Sequence, residues 1–219
     1  LLLLSLSYGT VADIDGNVYE TVQIGEQQWM AENLKATHYN NEDEIPTGYT
    51  DEEWIILGTG AYTVYDDDQS NADIYGNLYN WYAIDDDRGV CPDGFHVPSD
   101  EEIMELEMYF GMSESEANST SWRGTNEGSK LAGSSDLWSD GDLDNNSEFG
   151  TSGFNFLPAV IRMNESGSYY HMHQFGSFWS SSEYFSHSAL YRVLNHNYST
   201  VLRYFNYKQY GFSIRCLQD

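Results

Sequence analysis

The sequence predicts an α+β fold, with helices in its early and middle parts and an antiparallel sheet at its end. Two capping-box patterns, Thr50 with Glu53 and Ser99 with Glu102, stand ahead of apolar runs in the first half of the chain. Five short β-rich runs separated by polar turns fill the last third. Hydrophobic residues make up 40% of the 219 positions and aromatics 16%, enough to build a core in spite of the many acids. The length suits one domain spanning residues 1–219.

In chain order, residues 1–4 are four leucines, too short a run for a signal core and without a basic flank, and they read as a trimmed end or a first strand within residues 1–12. The first residue is not Met, so a removed leader stays open. An Asp15-Gly16 turn leads into a strand over residues 17–24, and Gln28, Trp29 and Met30 continue the β character. The Thr50 box opens a helix that carries Trp54, Ile55 and Leu57. Residues 75–84 form a third helix candidate, with Leu78, Trp81 and Tyr82 as its buried stripe. The Ser99 box opens the strongest helix, carrying Ile103, Leu106 and Phe110; Asp100, Glu101 and Glu102 complement its dipole and Gly111 closes it. Residues 124–153 are rich in Gly, Ser, Asn and Asp and read as a long irregular surface segment. Short strands follow over residues 156–161, 177–180, 189–194, 200–204 and 211–217.

Nine bases against 35 acids give a net charge of −26, which repels phosphate backbones and anionic lipid and argues against nucleic acid as a partner. No run of residues is long and apolar enough for membrane insertion. The charge is uneven. Residues 184–218 contain no acid, yet they hold Arg192, Arg203, Lys208 and Arg215. Six tyrosines fall within residues 184–210, interleaved with Ser, Asn, His and Phe, a mixture like that of an antibody paratope, where rigid aromatic contact area is combined with adaptable hydrogen bonding. A Tyr-rich antiparallel meander is the structural alternative. Alternation along two strands places Tyr191, Val193 and Asn195, then Thr200, Leu202 and Tyr204, in exposed rows, with Arg192, Leu194, Val201 and Arg203 as scaffold. His196, Asn197 and Tyr198 occupy the turn between them, and Phe185, His187, Ser188, Leu190, Phe205, Tyr207 and Tyr210 extend the candidate binding surface.

Motifs for catalysis are silent: the chain has no GxSxG, HExxH or GxGxxG. Asp140, Asp142 and Asp144 have the spacing of a calcium-loop start, but Asn145 and Thr151 stand where an EF-hand needs Gly and Glu. A solvated acidic loop is the first reading and an irregular calcium site the alternative, so no cofactor is assigned. His171 and His173 share one side of an expected strand and lack a third zinc ligand. Cys91 and Cys216, the two cysteines, lie far apart and do not match a paired zinc spacing.

The runs DIDGNVYETVQIGEQQWMAENLKATHY, YGNLYNWYAIDDDRGVCPDGFHVPSDEE, SGFNFLPAV, FWSSSEY and YGFSIRC resemble the Fibrobacter succinogenes major paralogous domain over nearly the whole chain. The resemblance implies a C-type lectin-like fold related to formylglycine-generating enzymes, with an antiparallel sheet, two to three helices, long irregular loops and pairing of the N- and C-terminal strands. It also implies a disulfide between Cys91 and Cys216, and with it an extracellular, cell-surface or virion location. The paired reactive cysteines of the related enzymes have no match once these two are structural.

The final WSSSEYFSHSALYRVLNHNYSTVLRYFNYKQYGFSIRC is similar to the variable region of proteins diversified by retroelements. Randomised template adenines turn Asn codons into Tyr, His, Ser, Phe, Leu, Val or Thr but never into Lys, Gln, Met, Glu or Trp, and within residues 185–210 only Lys208 and Gln209 belong to that unreachable set. The resemblance implies a non-enzymatic receptor-binding protein that displays residues 184–210 to a protein or other cell-surface macromolecule. An undiversified bacterial surface or secreted domain, structural or carbohydrate-adhesive, is the alternative.

Overall fold

The computed structural model describes residues 8–219; the leucine run at residues 1–4 lies outside them. Strands β1 (Tyr8–Ala12), β2 (Val18–Ile24) and β3 (Gln27–Met30) come first, followed by helix α1 (Asp51–Trp54), β4 (Tyr62–Thr63), α2 (Ser70–Tyr75), β5 (Leu78–Tyr79), α3 (Trp81–Ile84) and β6 (Phe95–His96). The middle holds α4 (Asp100–Tyr109), α5 (Glu114–Ala117), β7 (Ser121–Arg123) and α6 (Glu127–Leu131). The last third contains β8 (Ile161–Arg162), β9 (Tyr169–Tyr170), β10 (Phe175–Phe185), β11 (Ser188–Asn195), β12 (Tyr198–Tyr207) and β13 (Leu217–Gln218).

The architecture is α+β and mostly sheet. One antiparallel sheet has the order β1-β2-β3-β13-β6, so the last strand pairs with the third and both ends of the described chain share a sheet. The second has the order β10-β11-β12-β7, and β7 reaches only Val201 to Arg203 of β12. The main core lies between the two sheets. Val22, Ile24 and Trp29 from the first meet Phe178, Leu194 and Val201 from the second, with Ile103 and Leu106 of α4 and the loop residues Trp138, Leu143 and Phe154 closing the sides. A separate cluster around Tyr19, Met30 and Ile214 contains the Cys91–Cys216 disulfide, which ties the approach to α4 to the final strand with Cα atoms 5.9 Å apart.

Both expected capping boxes form: Thr50 and Ser99 accept from the backbone N–H of Glu53 and Glu102, whose carboxylates reach back to the cap N–H. A third, Ser113 with Glu116, opens α5. The described residues hold six α-helices where two to three are expected; five of them run only four to six residues. Residues 75–84 are not one helix. Gly76, at φ +76° and packed too closely on Asn33 for a Cβ, ends α2, and Leu78 and Tyr79 turn extended to pair with β4 and to bridge Phe212 before Asn80 caps α3. Residues 124–153 are not a surface loop either. They bury Leu131, Trp138 and Leu143, and Gly128 brings α6 against the backbone of Ser199 and Thr200, closer than any side chain there permits.

The disulfide closes a loop of 125 residues. By the chain-entropy relation, the Cys91→Ala/Cys216→Ala double variant is expected to lose about 4 kcal/mol, read as a shift in urea midpoint at unchanged slope. Thiol counting on denatured, unreduced protein is expected to return no free thiol; two would overturn the pairing.

Candidate functional site

Strands β10, β11 and β12 form a meander joined by two-residue turns, Ser186-His187 at one end and His196-Asn197 at the other. What holds the meander in place is ionic. On the face toward α4, Arg192 bonds Asp100 at 2.7 Å and Glu107 at 2.7 Å, Arg203 bonds Asp100 at 2.6 Å, and Arg123 bonds the second oxygen of Glu107. Arg192, Arg123, Asp100 and Glu107 are all buried. Burial works to raise the Asp100 carboxyl, but hydrogen bonds from Arg203 and the charge of Arg192 overcome it and hold it below the usual carboxylate range. Lys208 pairs with Glu183 at 2.6 Å over the Trp81 ring. Arg215 is held by the carbonyls of Phe154 and Asn155 and by Asn33 Oδ1, and burial pulls its guanidinium down to about 9. The four bases of the last strands are thus interior ligands, not a basic surface.

Of the expected exposed rows, Tyr191 opposes Tyr204 and Val193 opposes Leu202, and a register shift then sets Asn195 against Tyr198. They are not exposed along β11. Every residue of β11 is buried, including Ser188, Leu190, Tyr191, Val193 and Asn195. Over Ala189, Tyr191 and Val193 the cover is the returning chain: Phe212 crosses this face, stacked on Tyr191 at 4.7 Å and packed on Trp179 at 4.5 Å, and Tyr210 is buried beside it. Desolvation pushes the Tyr191 hydroxyl up to about 12. Cover stops one strand further out, so Tyr191 is 8% exposed and its cross-strand partner Tyr204 is 42% exposed. Thr200, Leu202 and Phe205 are half-buried, whereas Phe185, His187, Asn197, Tyr198 and Tyr207 are exposed.

The exposed candidates also fall into two groups, because the two turns lie at opposite ends of β11, which at eight residues spans about 27 Å. At one end, half-buried His196 donates from Nδ1 to the Asp140 carbonyl and Tyr198 packs on Trp122 at 4.9 Å. At the other, Tyr184 stacks on Phe205 at 4.3 Å, Phe205 on Tyr204 at 4.6 Å, and Phe185 and Tyr207 flank His187. Tyr184 and Asn206 belong to this patch and are absent from the candidates read from the sequence. A break in the β10 register between Trp179 and Glu183 obscures which way Tyr184 points. The patch encloses a groove of about 220 Å³ lined by His187, Ser188, Tyr204, Phe205, Asn206 and Tyr207. The buried Ser188 hydroxyl in its wall has no hydrogen-bond partner.

The acidic loop is self-satisfied: Asp144 accepts from the Gly141 N–H, Asp140 accepts from the Asn145 amide, and the Asp142 carbonyl accepts from Ser199. Among the described residues no group of three His, Cys, Asp or Glu side chains is placed to hold a metal ion. His171 and His173 lie after β9 at φ 70° and 65°, not side by side on a strand.

A model of the Fibrobacter succinogenes major domain matches residues 22–218. No curated protein and no solved structure matches the chain.

Two stability measurements follow from this geometry. Asp100→Asn removes one partner of a buried ionic network and is expected to cost about 3 to 5 kcal/mol near pH 7. The folded pKa of Asp100 lies below its unfolded value of about 3.9, so its contribution is complete above that pH and is lost as pH falls through the folded value. The gap between wild type and variant should therefore narrow from pH 7 to pH 3; a constant gap would contradict the ionised pairing. Separately, Phe185→Ala, Tyr198→Ala and Tyr207→Ala should each cost within about 0.5 kcal/mol, whereas Tyr191→Ala should cost about 3 to 5 kcal/mol. Equal costs for the two sets would mean that the exposed rings are structural.

Proposed function

This chain belongs to the Fibrobacter succinogenes major domain family, and on that premise we propose that it is a non-enzymatic binding module of C-type lectin-like architecture, diversified by a retroelement, which holds a protein on a cell surface through the end of its C-terminal meander. The observation that carries this reading is the row of rings at Tyr184, Phe185, Tyr204, Phe205 and Tyr207. Four of the five are exposed, and they stack on one another at the rim of the sheet outside the hydrophobic clusters that hold the fold. Contiguous exposed aromatic surface of this kind marks an interaction site, and aromatic anchors dominate binding energy where they occur.

Other features support the reading. The pairing of β3 with β13 and the disulfide from the approach to α4 to the last strand suit a lectin-like scaffold. With both cysteines bonded to each other, neither is available as a nucleophile, which favours binding over the cysteine chemistry of the related enzymes. The disulfide favours an extracellular, cell-surface or virion location. The net charge of −26 disfavours nucleic acid and anionic lipid as partners.

The coding locus tests this proposal. The expected finding is a near-copy of the segment encoding residues 184–210, differing at template adenines and accompanied by a reverse-transcriptase gene. Invariance of that segment across sibling loci, with no template copy, would remove diversification and leave an undiversified adhesive domain.

A further inference from the structure

We propose that the partner is held by an extended segment of its polypeptide chain, added as a strand along the margin of β12 at Tyr204 to Tyr207; this rests on the binding reading and specifies its anchor. Much of this sheet's margin is covered by the chain itself. Along β10, Trp179 N–H donates to the Ser213 carbonyl and Ser181 N–H to the Pro98 carbonyl; on β12, α6 lies on the backbone of Ser199 and Thr200, and β7 pairs with Val201 to Arg203. Cover by a strand ends at Arg203. Ladder parity then decides which groups face outward. Lys208 N–H donates to the His187 carbonyl, so Asn206 and Tyr204 turn their main-chain groups toward β11, while Phe205 and Tyr207 turn theirs to the open side. Asn206 Oδ1 takes the Tyr207 N–H, and the Tyr207 carbonyl accepts from the Tyr210 N–H with one lone pair to spare. Among the described residues nothing bonds the Phe205 N–H or the Phe205 carbonyl.

A donor and an acceptor presented on one side by one residue select the occupant. A carboxylate only accepts and a guanidinium only donates, so each leaves one of the two groups unmet. A residue of an antiparallel strand returns both bonds, and the next outward group, the Tyr207 carbonyl, lies two residues on, about 6.8 Å away, which is the repeat of an extended chain. Peptides are held at sheet edges in this way, with main-chain bonds for affinity and alternate side chains for specificity. Here the flanks are rings. Tyr204 is 42% exposed on one face and Tyr207 48% exposed on the other, so both offer aromatic neighbours to β-branched or aromatic side chains of the added strand. Residues 204–207 include no charge and no proline, the usual protections of an edge. A second copy of the chain would bring its own net charge of −26 and be repelled. The added strand stops where Ser121 begins β7. Its bonds come from the backbone, so they persist when the side chain at position 205 changes to any residue but proline.

The test titrates the isotope-labelled full chain with acetyl-Thr-Val-Thr-Val-Thr-amide by NMR, up to about 10 mM, above the roughly millimolar affinity that a few main-chain bonds supply. The Phe205 amide signal is expected to move downfield and its hydrogen exchange to slow, while the Asn206 amide, already in the ladder, stays unchanged. A version of the peptide N-methylated at its central residues keeps every side chain but loses the donors, and should bind about tenfold more weakly. Phe205→Pro deletes the outward N–H without removing a ladder bond, and should weaken the peptide about tenfold beyond Phe205→Ala. Equal binding of the N-methylated version would make the contact one of side chains and overturn the proposal. So would absence of binding, or a Phe205→Pro variant that binds like Phe205→Ala. A chain that sediments as a dimer, with the Phe205 N–H protected before peptide is added, would put a second copy on the margin and overturn it too. A diversified locus with no peptide binding would remove this anchor and leave the binding reading in place; peptide binding without such a locus would retain the anchor and remove diversification.

Discussion

The buried contact between Arg192 and the carboxylates of Asp100 and Glu107 is the constraint on which the rest of the molecule depends. Bringing ions out of water is expensive, and the arrangement is favourable only when nearly every donor and acceptor finds a partner in good geometry. Here Arg203 and Arg123 complete the set from the flanking strands β12 and β7, so three strands of one sheet are tied to a single helix through two acids. A slip of β11 by one residue would carry Arg192 to the opposite face and leave both acids uncompensated in the core. The ionic set thus fixes strand register where the apolar pattern of β11, buried on both faces, gives little information.

This also explains the lopsided distribution of charge along the chain. The acids of α4 come from the middle of the sequence and their bases from its end, because the fold brings the end back onto the middle. Arg215 and the disulfide extend the same closure: the final segment is held by Asn33, by the carbonyls of Phe154 and Asn155, and by Cys91. A tail that looks basic in the sequence contributes little positive surface.

Much of the framework is legible from local chemistry. Thr50 and Ser99 cap helices because their oxygens, and the Glu three residues on, have no better partners than the first-turn N–H groups. Strand parity on β11 and β12 is legible for the same kind of reason, since alternation is a property of the backbone. Which face is covered is not local. Tyr191 and Tyr204 have equivalent sequence surroundings, and only the path of Tyr210 and Phe212 over one of them separates core from surface. The same holds for residues 75–84, where a helical apolar spacing yields to the pairing of Leu78 and Tyr79 with distant partners. It holds for Trp138 and Leu143 too, which stand alone in a polar segment yet have a core to enter.

The short reach of β7 has a further consequence. Because it begins at Ser121, the partner of Arg203, residues Tyr204 to Tyr207 of β12 have a neighbouring strand on one side only. An open strand margin of this kind is a template for recruiting another chain of the same sequence, the first step toward fibrous association. Asn206 moderates the hazard by folding its amide oxygen onto the Tyr207 N–H at 3.0 Å, which removes a donor from the margin. That one masked donor adds a local safeguard in a protein whose large negative charge already keeps its copies apart.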